Sequence, residues 1–456
     1  MEFGSSIFEL LICFGVLLAF LIYPWVRRVA SVGLPLCYIV SLAMIHWLGS
    51  LIHALPLPWR SDPYTEIGFH QAFWATIAFA VGSMFVAPFI LRMILRGETA
   101  PTVKHPSPEQ FRLPRIYVLI GIACFGLLVP ALKSIPSISA VSVSGISLAV
   151  VGVCLACWTA YLKRSYVKLA ALLGAICILP FVTIITLGFV GYGSIAALLV
   201  FTFVATFYRP RWQAAAGLFL LFFLGLSLFV TYFRDRPKIR EKVWGGAAYS
   251  DRMDTLTTTL ANFEFIDFKN PRHLSAIDSR LNQNYLMGRA VKTIDAGQEP
   301  FANGATLYEA VLALVPRILW PDKPVAAGSG NTVSRYTRMK FDSTTSVGIG
   351  QVLEFYINFG MIGVLGGFLM MGVIVRITDT MAALRLYEGN WEGFMSWFLP
   401  SMSLLNVGGS LVEVFGTVGA SIVLVAIVNK ILGSLRVSST LEPRNSQNPA
   451  IGYSVH

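Results

Sequence analysis

The chain has 456 residues, of which 55% are hydrophobic and only 13% charged, and 35 Lys and Arg against 24 Asp and Glu give a formal charge of +11. Ordinary soluble domains carry roughly 25% charged residues, so this composition excludes a water-soluble globule. Apolar runs of about 20 residues, long enough to cross the bilayer, recur along most of the chain; they are continuous rather than alternating, which excludes a barrel.

The sequence therefore predicts an all-α, polytopic membrane bundle of about 11 transmembrane helices. The runs fall at 7–26, 32–55, 69–91, 115–132, 139–161, 167–187, 190–208, 212–233, 346–375, 392–408 and 414–435. The ninth is long enough to include a lead-in outside the membrane. Helices 1–8 occupy residues 1–233, a large external loop of short helices 234–345, helices 9–11 residues 346–435, and a polar, disordered tail 436–456. The opening MEFGSSIFE has two glutamates and no cation, while Arg27 and Arg28 follow the first run, so a cleavable signal is not expected. All six cysteines lie in apolar runs, and Cys154-Leu-Ala-Cys157 reads as packing rather than redox chemistry.

Basic residues alternate between the loops. Arg27 and Arg28 mark the first; Arg92, Arg96, Lys104, Arg112 and Arg115 the third; Lys163, Arg164 and Lys168 the fifth; Arg209 and Arg211 the seventh. Even-numbered loops are nearly free of cations. The positive-inside rule then sets the N-terminus outside and the C-terminus in the cytoplasm, with Arg376, Arg385, Lys430 and Arg436 in agreement. Because the charge follows topology, it does not argue for nucleic acid. His46 reads as a packing residue, and His53 and His70 as site candidates. No acidic or cysteine partner stands at metal-ligand spacing, so neither metal nor cofactor is expected.

Residues 234–345 are then external, periplasmic in a Gram-negative source, and hold 16 basic against 12 acidic residues. Arg234, Arg236, Lys238, Arg240 and Lys242 follow the eighth run, five cations in nine residues. Two readings stand side by side: arginines snorkelling to lipid phosphates, or a site for an anionic headgroup. Residues 272–294 have helical periodicity, with an apolar stripe beside a polar one of Asp278, Asn282, Tyr285, Arg289 and Lys292, and Arg280 on another face. Ala305 to Val315 is apolar nearly all round. PRILWPDKP, from Pro316, offers Arg317 and Lys323 on a stiff turn, with Trp320 at headgroup level. GSGN, Gly328 to Asn331, has two readings, a stretch whose backbone N–H groups approach a phosphate and, preferred, a flexible linker; Arg335 and Arg338 follow it as further cations. Glu354, in or beside the ninth run, and Glu413, near the last, are ionisable groups at membrane depth, either functional or paired with loop arginines.

No nucleotide-binding motif is present, so a transferase acting outside the cell needs a lipid-borne donor. Fixed guanidinium groups suit a departing pyrophosphate because they stay charged and match its oxygens. The order of a long external loop, ALVPRILWPDKP, and GQVLEFYINFGMIGVLGG resembles the oligosaccharide repeat-unit polymerases (Wzy-type, O-antigen polymerase-like). The resemblance implies a metal-independent, GT-C-like glycosyltransferase of the bacterial inner membrane. It would join undecaprenyl-pyrophosphate-linked oligosaccharides, with a chain-length regulator and other polysaccharide-export proteins as partners besides the lipid bilayer. By that resemblance and by charge, Arg317, Glu354 and Arg289 are the catalytic candidates. Arg234, Arg236, Arg240, Arg280, Lys323, Arg335, Arg338, Tyr356 and Asn358 are the substrate-binding ones. The sequence departs from the pattern in one loop: GFVGYGS, Gly188 to Ser194, lacks an arginine. An O-antigen ligase-like transferase and a lipid-linked oligosaccharide flippase are the alternative functions.

Overall fold

Hydrocarbon offers the backbone no hydrogen-bond partner, so each apolar run must satisfy its own N–H and C=O groups, and helix is the outcome. The computed structural model describes residues 3–27, 29–55, 62–95, 103–104, 106–128, 136–208, 211–315, 320, 322–323, 329–341 and 347–441. Every regular element among them is a helix. The first group comprises α1 (Phe3–Val26), α2 (Leu34–Ala54), α3 (Pro63–Ile94), α4 (Gln110–Leu127), α5 (Pro136–Leu162), α6 (Tyr166–Leu187), α7 (Gly191–Phe207) and α8 (Arg211–Trp244). The short helices α9 (Tyr249–Ala261), α10 (Pro271–Leu281), α11 (Asn284–Asp295), α12 (Ala305–Ala313) and α13 (Ser329–Thr337) follow. The chain closes with α14 (Gln351–Tyr387), α15 (Trp391–Leu404) and α16 (Leu411–Leu441). Among the described residues nine helices are long and apolar enough to cross a membrane: α1 to α6, α8, α14 and α16. The seventh and tenth predicted spans are shorter helices, α7 with 17 residues and α15 with 14.

Bonds between connections sort them into two ends. At one end Asp379 Oδ1 accepts from the Val32 and Leu34 amides, at 3.0 Å each, Lys104 N donates to Tyr387 O at 2.8 Å, and Lys163 lies 4.7 Å over the Phe111 ring. The basic first, third and fifth loops therefore share one end with the close of α14. At the other, His53 Nε2 meets Asp278 at 2.7 Å, the Tyr232 hydroxyl donates to Gly188 O at 2.6 Å, and Ala302 N donates to Ile357 O at 2.8 Å. The second and sixth loops thus gather with the segment 234–345.

Two π-turns interrupt α2 and α3, at Ala43–Trp47 and Gly82–Val86, and a third, Cys124–Leu128, closes α4. A π-turn loosens the carbonyl ladder locally, and two of these serve other elements. Ile45 O accepts from Gln283 N at 3.0 Å and His46 O from Asn284 Nδ2 at 2.6 Å. Ser83 O accepts from Arg376 Nε at 3.2 Å, and Met84 O from the Tyr23 hydroxyl at 2.9 Å.

Four elements differ from the sequence reading. The eighth run ends near 233 by hydropathy, yet α8 continues through Pro237 to Trp244, because Ile239 and Val243 bury against Ile184, Ile185 and Leu256. Residues 272–294 form two helices rather than one. They part at Asn282 and Gln283, where Asn282 Nδ2 bonds Thr65 Oγ1 and Asp278 Oδ1, at 3.0 and 2.8 Å, and the α2 π-turn captures the Gln283 amide. The region read as a linker opens α13, whose Val333 and Tyr336 are buried. Finally, α16 runs into the predicted tail as far as Leu441.

The start of α14, which opens the ninth predicted span, is folded back. Helical geometry breaks at Phe359 and Gly360, the latter at φ 60° and ψ −146°. A Cβ on Gly363 would lie 2.3 Å from Phe355 O, and one on Gly367 would lie 2.4 Å from the Phe355 ring. In a straight helix residues eight apart stand about 12 Å apart along the axis. The segment 351–358 therefore doubles back as a short hairpin arm against the start of the main span.

Candidate anion site

The last turns of α8 repeat one spacing. Tyr232, Arg236, Arg240 and Trp244 stand four residues apart and share a face. Opposite them is the turn after α6. Gly188 O accepts both the Tyr232 hydroxyl and Arg240 Nε, the latter at 3.4 Å, and Trp244 Nε1 donates to Leu187 O at 3.2 Å. Gly188 is held at φ 75°, the left-handed region that glycine adopts without cost. Arg240 lies 4.5 Å over the Phe189 ring and 4.7 Å over Trp244, and Arg236 lies 5.7 Å from the Phe233 centroid.

Arg280, at the close of α10, completes the group: Arg236 faces the charges of Arg280 and Arg240. Burial, and then the neighbouring charge of Arg240, hold the Arg280 guanidinium below the usual arginine range. Arginine stays protonated even so. Among the described residues none of the three makes an ion pair with a carboxylate. Aromatic faces soften the mutual repulsion by roughly 0.5–2 kcal/mol per contact, which is less than an anion would supply.

The remaining predicted cations are engaged elsewhere. Arg234 pairs with Asp235 at 2.8 Å and with Glu264, and also bonds Asn262 O at 2.8 Å. Arg335 and Arg338 share Glu299, at 2.9 and 3.0 Å. Lys323 Nζ donates to Val315 O at 2.9 Å and to Leu312 O at 3.4 Å, at the end of α12. Arg289 lies over Tyr64 and Tyr285 and ties α11 to α13 by donating from Nε to Thr337 O at 2.9 Å. Arg317 lies outside the described residues.

Glu354 is 2% exposed on the hairpin arm. Its carboxylate meets no arginine within ion-pair distance among the described residues; it accepts from Leu411 N at 2.7 Å, the first residue of α16. That contact pins the arm to a helix N-terminus, where the dipole favours negative charge. Asn358 continues the seam: its Oδ1 accepts from Gly304 N at 2.9 Å, and its Nδ2 donates to Thr306 Oγ1 and Glu354 O at 2.7 Å each. Tyr356 packs near Phe301, ring centroids 6.4 Å apart. Glu413 takes the Ser410 amide at 3.4 Å, and His70 bonds Glu9 at 2.6 Å.

The structure thus gathers Arg236, Arg240 and Arg280 and leaves the other predicted site residues that it describes dispersed in contacts elsewhere. Tyr232, Phe189 and Trp244 were not singled out from sequence, although the four-residue spacing of Tyr232, Arg236, Arg240 and Trp244 was readable there. No group of His, Cys, Asp or Glu suited to a metal ion occurs among the described residues. Arg240, carried by α8, lies against the GFVGYGS turn.

Residues 84–439 match a family described as "Domain of unknown function (DUF8712)", and since the match spans most of the chain, the protein belongs to that family. No curated protein and no solved structure matches it.

Proposed function

We propose that this family member is a membrane glycosyltransferase that polymerises undecaprenyl-pyrophosphate-linked oligosaccharide repeat units at the outer face of a bacterial inner membrane. In this reading the chain crosses eleven times, with the N-terminus outside. The observation that supports it most is the set of three guanidinium groups, Arg236, Arg240 and Arg280, which no carboxylate neutralises among the described residues. It stands at the end of the bundle away from the basic loops, where the inside-positive bias gives cations no advantage.

The chemistry follows from charge. A hydroxyl of one glycan attacks the anomeric carbon of another; the new C–O bond forms as the bond to pyrophosphate breaks. The bonding electron pair leaves with the pyrophosphate, which the arginines stabilise as its charge grows. The hydroxyl proton passes to water at the membrane surface. Glu354, buried and bonded to Leu411 N, holds the hairpin arm in position instead of reacting.

Losing a hydrogen bond to a charged group costs about 1.5–3 kcal/mol, roughly ten- to a hundredfold. Arg236→Gln with Arg280→Gln, at unchanged membrane abundance, is expected to stop chain growth and accumulate single repeat units on the carrier lipid. Arg335→Gln, whose guanidinium is held by Glu299, is expected to leave polymer length nearly normal. Full-length polymer in the double variant would remove these arginines from the reaction. Long polymer accumulating on the carrier when the protein is deleted would mark a ligase instead.

A further inference from the structure

Beside the three arginines lies an aromatic shelf that the transfer chemistry alone does not require. Trp244 is 59% exposed and Tyr192 64%. The Phe189 ring sits between them, 5.9 Å from Trp244 and 5.8 Å from Tyr192 by centroid. Large aromatics at this depth ordinarily anchor a protein in the headgroup region, with the apolar body in lipid and the N–H or O–H in water. Trp244 does not have that arrangement. Its indole N–H is spent on a protein carbonyl, Leu187 O at 3.2 Å, and Arg240 lies 4.7 Å from its ring. What it presents outward is a fixed aromatic face. The turn it rests on is equally specific: a Cβ on Gly188 would stand 3.3 Å from the indole nitrogen.

We propose that Trp244, with Phe189 and Tyr192, is the stacking surface for the first sugar ring of a pyrophosphate-linked glycan. The proposal rests on the anion-site reading above and assigns the part of the same ligand next to its phosphate. In a glycosyl pyrophosphate the anomeric carbon is bonded directly to a phosphate oxygen, so the ring begins one atom from the charge. Arg240 touches both surfaces. A phosphate bound by its guanidinium therefore sets the sugar over Trp244 or Phe189. The C–H faces of a pyranose carry slight positive charge and meet the negative face of an aromatic ring. The shelf recognises a sugar without selecting its hydroxyl pattern, leaving room for variation in the glycan.

The test uses the full-length protein in nanodiscs with two probes, undecaprenyl pyrophosphate and the same lipid carrying one N-acetylglucosamine. Wild type is expected to bind the sugar-bearing lipid about fivefold more tightly, the scale of one aromatic stacking contact. Trp244→Leu, which keeps an apolar anchor, should abolish that preference, beyond any common shift in affinity for both lipids that follows the loss of its contact with Arg240; Trp244→Phe should keep part of it. A preference unchanged in Trp244→Leu, or absent in wild type, overturns the proposal. An equal fall for both lipids makes Trp244 a support for Arg240 only and also overturns it. If neither carrier lipid competes with phosphatidylglycerol on the wild type, the anion-site reading itself fails.

Discussion

Glu264 shows how a single carboxylate decides which arginine is available. It accepts from His273 Nε2 at 2.8 Å and from Arg234, and these bonds, His273 first, hold its carboxyl below the usual range. A depressed folded value means the stabilisation is complete above the ordinary pKa of 4.5 and is lost as pH falls through the lower folded value. Protection of the α9 and α10 amides, corrected for the intrinsic exchange rate at each pH, is therefore expected to fall as pH drops through that value in wild type, and to be nearly flat in Glu264→Gln over the same window. Equal pH responses would show that Glu264 carries no such linkage. The same residue explains a limit of the sequence reading. Five cations in nine residues were visible, but Arg234 is neutralised by its neighbour Asp235 and by Glu264, thirty positions away, whereas Arg236 and Arg240 meet no carboxylate among the described residues. The pairing of Arg234 with Asp235 is local, but its second partner, Glu264, and the contacts of Arg236 and Arg240 with other elements are tertiary, and no spacing within 234–242 encodes them.

Among the elements, the hairpin arm of α14 was half legible. The ninth apolar run is too long for one crossing, so a lead-in was expected; the direction of the lead-in depends on glycine. Gly360 sits in a backbone region closed to other residues, and Gly363 and Gly367 leave room for Phe355 to lie against the main span. Gly360→Ala is expected to lower stability by about 1–3 kcal/mol, the usual cost of such strain. Thermal unfolding in detergent should show the loss as a fall in midpoint, and an unchanged midpoint would contradict the conformational assignment. The π-turns lay beyond sequence reading for a similar reason. Nothing in Ala43–Trp47 distinguishes it from ordinary helix except that Gln283 and Asn284 come to meet its carbonyls. That capture also splits α10 from α11, which periodicity alone joined.

For the molecule as a whole, hydropathy located the helices, because hydrocarbon forces each run to satisfy its own backbone. Among the described residues the basic first, third and fifth loops meet at one end. Hidden from the sequence was the fastening between the helices. Arg376 counted only as a cation near the cytoplasmic side, yet it is 1% exposed and bonds Asp379 at 3.1 Å, while Asp379 receives the Val32 and Leu34 amides. Removing one member of a buried pair costs about 3–5 kcal/mol. Asp379→Asn is accordingly expected to lower the thermal midpoint markedly while leaving carrier-lipid affinity of the surviving folded protein unchanged; a selective loss of affinity would connect this pair to the anion site.

All of the functional reading requires the end bearing Arg236, Arg240 and Arg280 to face away from the cytoplasm. A cysteine at the exposed Ala296, close to the end of α11, tests this directly. Ala296→Cys in intact spheroplasts should react with a membrane-impermeant maleimide above the background set by the native cysteines. Labelling of that position only after the membrane is permeabilised would contradict the account.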